Sequence, residues 1–429
     1  MTIVLLMFAA FAVLLALGVP IAFAMGLSAV LALAVEGAVP LLVLPQRFYS
    51  SLDSFGLLAI PLYIFAGEIM NVGGVTAAIV RFARSLVGHI RGGLGQVNIL
   101  TSVLFAGISG SAAADCAAVG SMMLPAMKRE GYRPEWSVVI TTASSILGPI
   151  IPPSILMVLY GSMTGLSIGT LFLAGIVPGL VLAAIMMVLV WLKADTIGAP
   201  RQARASLGEV GGSFVAAAPA LMMPVLIVGG ILSGVFTPTE AGIVAVTYGL
   251  FYAAFNRRLG PVGLYRYVLK TAVSSASILI ILGGAALFSW IIARAGLPAA
   301  IAQWLSTVTS NGALVLLLIV IILLLIGMFI ETISALILVV PVLTPIAAAF
   351  GFDPIHFSVV TIIAVLLGAL TPPVAVLLLL TCKIGGVEYA ATMRPLMPFL
   401  AVLVLGLLAI MYVPAITLGL PRILLGYGT

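Results

Sequence analysis

The chain has 429 residues, of which 63% are hydrophobic and only 7% are charged, and its mean hydropathy is +1.35. Soluble domains carry about 25% charged residues, so this composition excludes a water-soluble globular protein and indicates a polytopic membrane protein. The net charge of +6 is explained better by basic cytoplasmic loops than by nucleic-acid binding. The apolar runs are long and do not alternate, which favours helices over a β-barrel.

Membrane-crossing helices are predicted in equal number in the two halves of the chain. They cover residues 2–18, 19–36, 55–73, 136–162, 168–193, 214–234, 238–255, 272–293, 356–381 and 396–418. Each half also has a short amphipathic segment (76–90; 298–309) followed by an apolar stretch that folds back (96–127; 313–349). We expect these two stretches to form re-entrant hairpins, which enter the membrane and return to the same side.

The two halves repeat each other. Residues 101–161 align without a gap with residues 321–381, so that the pair Pro152-Pro153 matches Pro372-Pro373. In each copy an apolar segment that should be helical is interrupted by Gly and Pro. Paired broken segments in two halves of a membrane chain indicate the binding site of a transporter.

Charge sets the expected orientation. An odd number of crossings in each half turns the second half upside down relative to the first. All but three basic residues then fall on one face, Arg201 and Arg258 among them, and the exceptions are Arg47, Arg294 and Arg422. Cytoplasmic loops are rich in Lys and Arg, so the basic face is predicted to be cytoplasmic. The first hairpin then opens from the cytoplasm, the second from the outside, and both termini are periplasmic.

The predicted organisation has three parts. Repeat 1 covers 1–195, with scaffold helices in 1–54 and transport elements in 96–163. A polar cytoplasmic linker covers 196–212. Repeat 2 covers 213–429, with transport elements in 313–381. The fold class is therefore all-α, with two inverted-topology repeats that each contain a re-entrant hairpin and a broken helix.

The hairpins and breaks carry the expected chemistry. Proline lacks an amide donor and frees backbone carbonyls, and the C-terminal end of a half-helix suits a cation, whereas an N-terminal end suits an anion. Asp115 in the first hairpin and Glu331 in the second add carboxylates. A charge at membrane depth costs about 2.5–3.5 kcal/mol on insertion scales, so such residues usually face a cavity. The alternative is a packing pair or a hydrogen bond to a neighbouring helix.

Other residues have competing interpretations. A structural role is favoured for Glu68, and Glu240 is equally consistent with a helix-capping role and a functional one. Residues 107–110 match the G-x-S-G pattern of rhomboid intramembrane serine proteases. That remote alternative requires Ser109 to pair with His89 or His356, and it explains only one half of the repeat. We therefore expect no enzyme.

Several motifs in chain order carry a resemblance to a known family. They are residues 18–23, 60–67, 107–115, 123–125, 151–154, 236–242 and 370–373. Over essentially its full length, the chain resembles the large membrane subunit of tripartite ATP-independent periplasmic (TRAP) transporters. The resemblance implies an elevator-type fold like that of the ion-transporter superfamily, in the bacterial inner membrane. It also implies Na⁺-driven import of small organic acids.

The resemblance implies two partners as well: a small four-helix membrane subunit and a periplasmic substrate-binding protein. No further helices precede Met1, so the small subunit is expected to be a separate chain. C4-dicarboxylates are the default substrates, with sialate and keto acids next. Na⁺ is the expected coupling ion, with no other metal and no cofactor. Two alternatives remain open: Asp115 or Glu331 carries a proton instead, or the fold is a passive channel or scaffold.

The predicted binding residues lie in the hairpins and breaks. The expected Na⁺ ligands are Ser109, Gly110, Ser111, Asp115, Gly148 and Pro149 in one site, and Gly327, Glu331, Thr332, Gly368 and Thr371 in the other. The substrate carboxylate is expected between the two hairpin tips, against Ser111, Ala112, Pro152, Pro153, Thr332, Pro372 and Pro373.

Overall fold

The computed structural model describes residues 2–200, 202–257, 259–309 and 311–428. The predicted placement of Arg201 and Arg258 on the basic face lies outside the described residues, as do the outermost residues of the two predicted repeats, Met1 and Thr429. Within the described ranges the regular secondary structure is entirely helical.

Among the described residues of the first half there are eleven α-helices, with a 3₁₀ turn, Phe55–Leu58, ahead of the fourth. They are α1 (Thr2–Ala16), α2 (Ile21–Glu36), α3 (Val43–Leu52), α4 (Ala59–Val72), α5 (Val75–Val87), α6 (Leu94–Ser109), α7 (Ala112–Arg129), α8 (Pro134–Ser145), α9 (Ile155–Thr164), α10 (Ile168–Leu192) and α11 (Ala194–Ile197). The predicted break between the first two helices is confirmed: Gly18 has a φ of +80°, and Pro20 stands directly before α2.

The second half begins with a long helix after the linker. Its helices are α12 (Leu207–Leu232), α13 (Pro238–Phe255), α14 (Pro261–Arg294), α15 (Leu297–Val308), α16 (Gly312–Phe329), α17 (Thr332–Ala349), α18 (Pro354–Leu370), α19 (Val376–Gly385), α20 (Tyr389–Tyr412) and α21 (Ala415–Leu425). Among the described residues, seven helices are long and apolar enough to cross a membrane.

Both predicted hairpins and both predicted breaks are present, so the expected fold class is confirmed. Helices α6 and α7 meet at Gly110 and Ser111, and α16 and α17 meet at Ile330 and Glu331. The first broken helix consists of α8 and α9, and the second of α18 and α19. Both breaks contain a cis peptide bond, at Pro152-Pro153 and at Pro372-Pro373. Each hairpin packs on a broken helix, α7 on α8 and α16 on α18.

Helix α14 differs most from its prediction. It begins at Pro261 and not near residue 272, and at 1.5 Å per residue it is roughly 50 Å long. The hydrocarbon core of a bilayer is only about 30 Å thick. Arg266 and Lys270 lower the hydropathy of the first turns, so a hydropathy pattern places the start of the helix too late. The helix itself continues beyond the apolar layer.

Three other elements differ from their predictions. Helix α12 begins at Leu207, inside the predicted linker, because Ser206 and Glu209 form a capping box there. The predicted helix over 396–418 is two helices, since Val413 and Pro414 interrupt it, and the first of them begins earlier, at Tyr389. Helix α3 was not predicted at all, because its ten residues include several polar ones and resemble a loop.

A close contact between two glycines joins the second hairpin to the second broken helix. A Cβ at Gly368 would lie 2.6 Å from the carbonyl oxygen of Leu324 and 2.7 Å from the Cα of Gly327. The nearest atoms belong to the backbone, which cannot rotate away as a side chain can. Helices α16 and α18 therefore approach as closely as they do only because both positions lack a side chain.

We expect Gly368→Ala to lower the free energy of unfolding by about 1–3 kcal/mol, the usual cost of overpacking a filled interior. The measurement is thermal unfolding of the purified chain in detergent. Gly229→Ala on α12 is the matched control, because a Cβ there meets nothing within 4 Å. Equal midpoints for the two variants would contradict the proposed backbone contact.

Candidate functional site

The tip of the first hairpin is seated in the first broken helix. Gly110 has a φ of +59°, and a Cβ there would lie 2.7 Å from the carbonyl oxygen of Pro153. The amide of Ile155 donates to the carbonyl oxygen of Gly110 at 3.4 Å. On the other side of the tip, a Cβ at Gly148 would lie 3.1 Å from the carbonyl oxygen of Ser111. Gly110, Ser111 and Gly148 of the first predicted ion site therefore lie together, because glycine allows the two backbones to touch.

Glu331 forms the tip of the second hairpin and the N-cap of α17. Its Oε2 accepts hydrogen bonds from the amides of Ile333 at 3.0 Å and Ser334 at 3.1 Å. A carboxylate at a helix N-terminus is stabilised by the unpaired amides and the helix dipole. This contact gives Glu331 a structural role whether or not it also binds a ligand.

The two tips meet at a small cavity of about 60 Å³. Gly110, Ser111 and Ala112 of the first hairpin line it, together with Pro149 of the first break. Glu331 and Thr332 of the second hairpin line it from the other side. Residues of the two hairpins that are far apart in sequence, and that the sequence predicts as ligands, therefore share one space.

A larger cavity of about 400 Å³ adjoins the same tips. Ser109, Ser111 and Glu331 line one end, and Glu68 of α4 and Lys270 of α14 contribute to its wall. Lys270 Nζ lies 2.6 Å from Glu68 Oε1, and the side chain of Lys270 is 59% exposed. Of the described residues that line this cavity, Lys270 is the only cationic one.

This ion pair is not evident from the sequence, in which Lys270 falls among the cytoplasmic basic residues and a structural role is favoured for Glu68. The one available signal was the acidic residue itself, which interrupts an otherwise apolar helix. Its partner could not be named, because nothing in either segment indicates that α4 and α14 are neighbours.

Asp115 is fully buried, and neither of its carboxylate oxygens accepts a hydrogen bond within the described part of the chain. The Ser102 hydroxyl lies beside it but donates to Ser144 Oγ at 3.1 Å. The Ser144 hydroxyl also donates to Asn98 Oδ1 at 3.4 Å, and Asn98 Nδ2 donates to Thr141 Oγ1 at 2.6 Å. This polar chain joins α6 to α8 behind the carboxylate.

Ser109, like Asp115, is a buried residue whose polar group lacks a partner in the described chain. Its hydroxyl is buried and has no hydrogen-bond partner among the residues that the structure describes. Buried oxygens without partners cost free energy unless a cation, a water or another donor satisfies them. A serine hydroxyl and a carboxylate are oxygen ligands of the kind that hard cations prefer, so these two residues fit a cation.

Other predicted ligands lie elsewhere. Gly327 and Gly368 form the interhelical contact described above, and the carbonyl oxygen of Gly368 accepts from the amide of Thr371 at 2.8 Å. The Thr371 hydroxyl donates to the carbonyl oxygen of Leu367 at 2.7 Å. Considering only the described residues, neither cavity is lined by Pro152, Pro153, Pro372 or Pro373.

Two alternative roles can be compared with the geometry. Glu240 forms a capping box, in which its Oε2 accepts from the amide of Thr237 at 2.7 Å, as the capping interpretation expects. His356 is held at 2.8 Å by the Thr417 hydroxyl and at 3.1 Å by the carbonyl oxygen of Met411. Because the Ser109 hydroxyl has no hydrogen-bond partner in the described chain, it pairs with neither His89 nor His356 there.

Comparison with known proteins gives the family. The model of the DctM component of tripartite ATP-independent periplasmic transporters matches residues 8–416. The chain belongs to this family. The resemblance inferred from the motifs is confirmed. Large permeases of this kind are multi-pass inner-membrane proteins that work with a small permease and a periplasmic binding protein, and they are not enzymes.

Several relatives match this large permease over nearly its whole length. The sialic acid TRAP transporter large permease SiaM of Vibrio cholerae is 38% identical, and the match covers 96% of each chain. The C4-dicarboxylate TRAP transporter large permease DctM of Rhodobacter capsulatus is 34% identical over 95% of this chain and 96% of its own. In contrast, the match covers only 62% of the sialic acid TRAP transporter permease SiaT of Haemophilus influenzae.

A solved structure shares the fold. The YdaH transporter of Alcanivorax borkumensis, whose topology is described as unusual, superposes with a TM-score of 0.63 over 90% of this chain and 88% of its own. Its sequence identity of 15% limits the comparison to architecture.

Proposed function

We propose that this large permease imports small organic acids together with Na⁺ by an elevator movement. The observation that carries the proposal is the meeting of both hairpin tips at one cavity, and the first hairpin also contains two buried groups without hydrogen-bond partners in the described chain, Ser109 and Asp115. The substrate class is that of the relatives named above: C4-dicarboxylates and sialic acid, with keto acids as a third group.

Charge gives a physical reason for the coupling. Glu331 lines the space where the substrate carboxylate is expected, and Asp115 is buried behind the other tip. An organic anion that enters this space without a cation is repelled, because like charges at short range in a medium of low dielectric constant interact strongly. Bound Na⁺ reverses the sign of that interaction, so anion binding depends on the ion.

Packing suggests which elements move. The hairpins pack on the broken helices, whereas α4 packs mainly against α13, and α14 packs against α2 and α3. We propose that the first group slides against the second. The large cavity lies between them and extends along the C-terminal half of α4 and the N-terminal half of α14, toward the basic face. We therefore assign this conformation to the cytoplasm-facing state, with both termini periplasmic.

The test is transport by the assembled system. The chain is reconstituted in vesicles with its small subunit and its periplasmic binding protein, and uptake of labelled succinate, sialic acid and a keto acid is measured. We expect accumulation of one of these against its gradient when Na⁺ is high outside and pH is equal on both sides. Accumulation driven by a pH gradient at equal Na⁺ would favour the proton-coupled alternative, and no accumulation under either gradient would favour a passive channel.

The Lys270–Glu68 pair gives a prediction about affinity. We expect Lys270→Gln to raise the KM for the organic acid at least about tenfold. The reason is the loss of a charge-assisted contact between the Lys270 ammonium and the substrate carboxylate, which contributes about 1.5–3 kcal/mol. Lys270→Arg should restore most of the loss. The control is Arg266→Gln, one turn earlier on the same helix and outside both cavities. If Lys270→Gln lowered the unfolding temperature and left KM unchanged, the residue would be a structural partner of Glu68 only.

A further inference from the structure

A third cavity, of about 550 Å³, lies away from the hairpin tips. Arg81 and Arg84 of α5 line one side, and Arg204 of the linker and Ser213 of α12 line the other. It therefore joins the first half of the chain, the linker and the second half at the basic face. None of these residues takes part in the proposed transport site.

The charges in this cavity are only partly compensated. Arg84 pairs with Glu130 at 3.0 Å. Arg81 and Arg204 form no ion pair or hydrogen bond with any residue that the structure describes. Glu209 also lines the cavity, but its Oε2 is engaged by the amide of Ser206 at 2.7 Å and by the Ser206 hydroxyl at 3.0 Å.

The polar groups of the cavity suit a phosphate. Two free guanidinium groups offer planar sets of donors, which match phosphate oxygens. The hydroxyls of Ser85 and Ser213 lie 2.8 Å apart. Each also donates to a backbone carbonyl of its own helix, Phe82 at 2.8 Å and Val210 at 2.9 Å, so the guanidinium groups are the donors available to an anion.

Exposed apolar side chains lie on the helices that form the cavity. Leu207, at the start of α12, is 91% exposed, and Phe214 and Val215 are half exposed or more on the same helix. Helix α12 is apolar enough to cross a membrane, yet most of it is uncovered by the rest of the chain. Leu86 adds an exposed apolar side chain from α5. A ligand that fits both the cavity and these apolar side chains has an anionic head and an apolar tail.

We propose that this cavity binds the headgroup of an anionic phospholipid. Arg81 and Arg204 contact the phosphate, and the acyl chains lie along Leu207 and Phe214. Basic pockets at the cytoplasmic membrane surface bind anionic headgroups in this way. The bound lipid fixes two elements at one point of the membrane surface. They are α5, which leads into the first hairpin, and the linker between the halves.

Native mass spectrometry of the full chain in detergent tests the proposal. Phosphatidylglycerol and phosphatidylcholine of equal chain length are titrated against the wild type and the double variant Arg81→Ala, Arg204→Ala. We expect the double variant to bind phosphatidylglycerol about 30-fold more weakly, the factor that corresponds to about 1 kcal/mol for each arginine. Binding of phosphatidylcholine should be weak in both proteins.

Two further variants are measured in the same experiment. The double variant Arg266→Ala, Arg394→Ala removes the same charge from the basic face outside the cavity and should bind phosphatidylglycerol like the wild type. Leu207→Asn should weaken binding of the long-chain lipid while leaving the three arginines in place. The proposal is overturned if both double variants lose equal affinity. It is also overturned if inorganic phosphate at millimolar concentration displaces the lipid completely. The cavity would then bind free phosphate, and the acyl chains would contribute nothing to binding.

Discussion

Asp115→Asn is expected to abolish stabilisation of the protein by Na⁺ and with it Na⁺-driven uptake. The change keeps the shape of the side chain and removes its charge. A ligand at 100 times its Kd stabilises a folded protein by about 2.7 kcal/mol, so the wild type should unfold at a clearly higher temperature in sodium chloride than in choline chloride. The variant should unfold at the same temperature in both salts.

The same measurement in sodium-free buffer adds a second expectation. The variant should be at least as stable as the wild type there, because a buried carboxylate without a partner costs free energy. Asp195→Asn provides the control, since it makes the same chemical change at an exposed carboxylate and should leave the sodium response intact. A full sodium response in Asp115→Asn would remove Asp115 from the ion site.

Glu331→Ser is expected to reduce uptake at least tenfold while leaving the protein folded. Serine is a good N-cap residue, so α17 keeps a hydrogen bond to its first amides, and the free energy of unfolding should change by less than about 1 kcal/mol. The carboxylate in the cavity between the tips is lost, and with it the charge that we propose links ion and anion binding. Uptake in vesicles and thermal unfolding are measured on the same preparation.

The chain offers a matched control for this substitution. Asp353 caps α18 in the same manner, and its Oδ1 accepts from the amides of Ile355 and His356, each at 2.9 Å. It lines neither of the two cavities at the tips within the described chain. Asp353→Ser should therefore transport like the wild type. Equal losses in the two variants would mean that uptake depends on capping and not on the charge at Glu331.

The hairpins and breaks could be predicted because their causes are local. The proline pairs at 152–153 and 372–373 interrupt their helices locally, and they occur at matching positions in both halves. The convergence of Ser111 with Glu331 followed from the repeat. The carboxylates of Asp115 and Glu331 were also marked locally, since charge is rare in an apolar segment.

What could not be predicted depends on contacts between distant segments or on the limits of hydropathy. Lys270 pairs with Glu68 only because α14 packs on α4, and no motif records that packing. Gly327 and Gly368 were expected to bind an ion, yet in the fold they bring two backbones together. A glycine that exposes the backbone to a ligand and a glycine that allows two helices to pack closely cannot be distinguished in a sequence.

The polar chain from Thr141 through Ser144 to Ser102 has a consequence for thermodynamics. It links α6 to α8, so in the movement that we propose the oxygens near Asp115 would keep their relative positions while the hairpin moves. A cation bound there would then have the same intrinsic affinity on both sides of the membrane. Any difference in its release between the two compartments would have to arise from water access and membrane voltage, and not from a rearranged coordination shell.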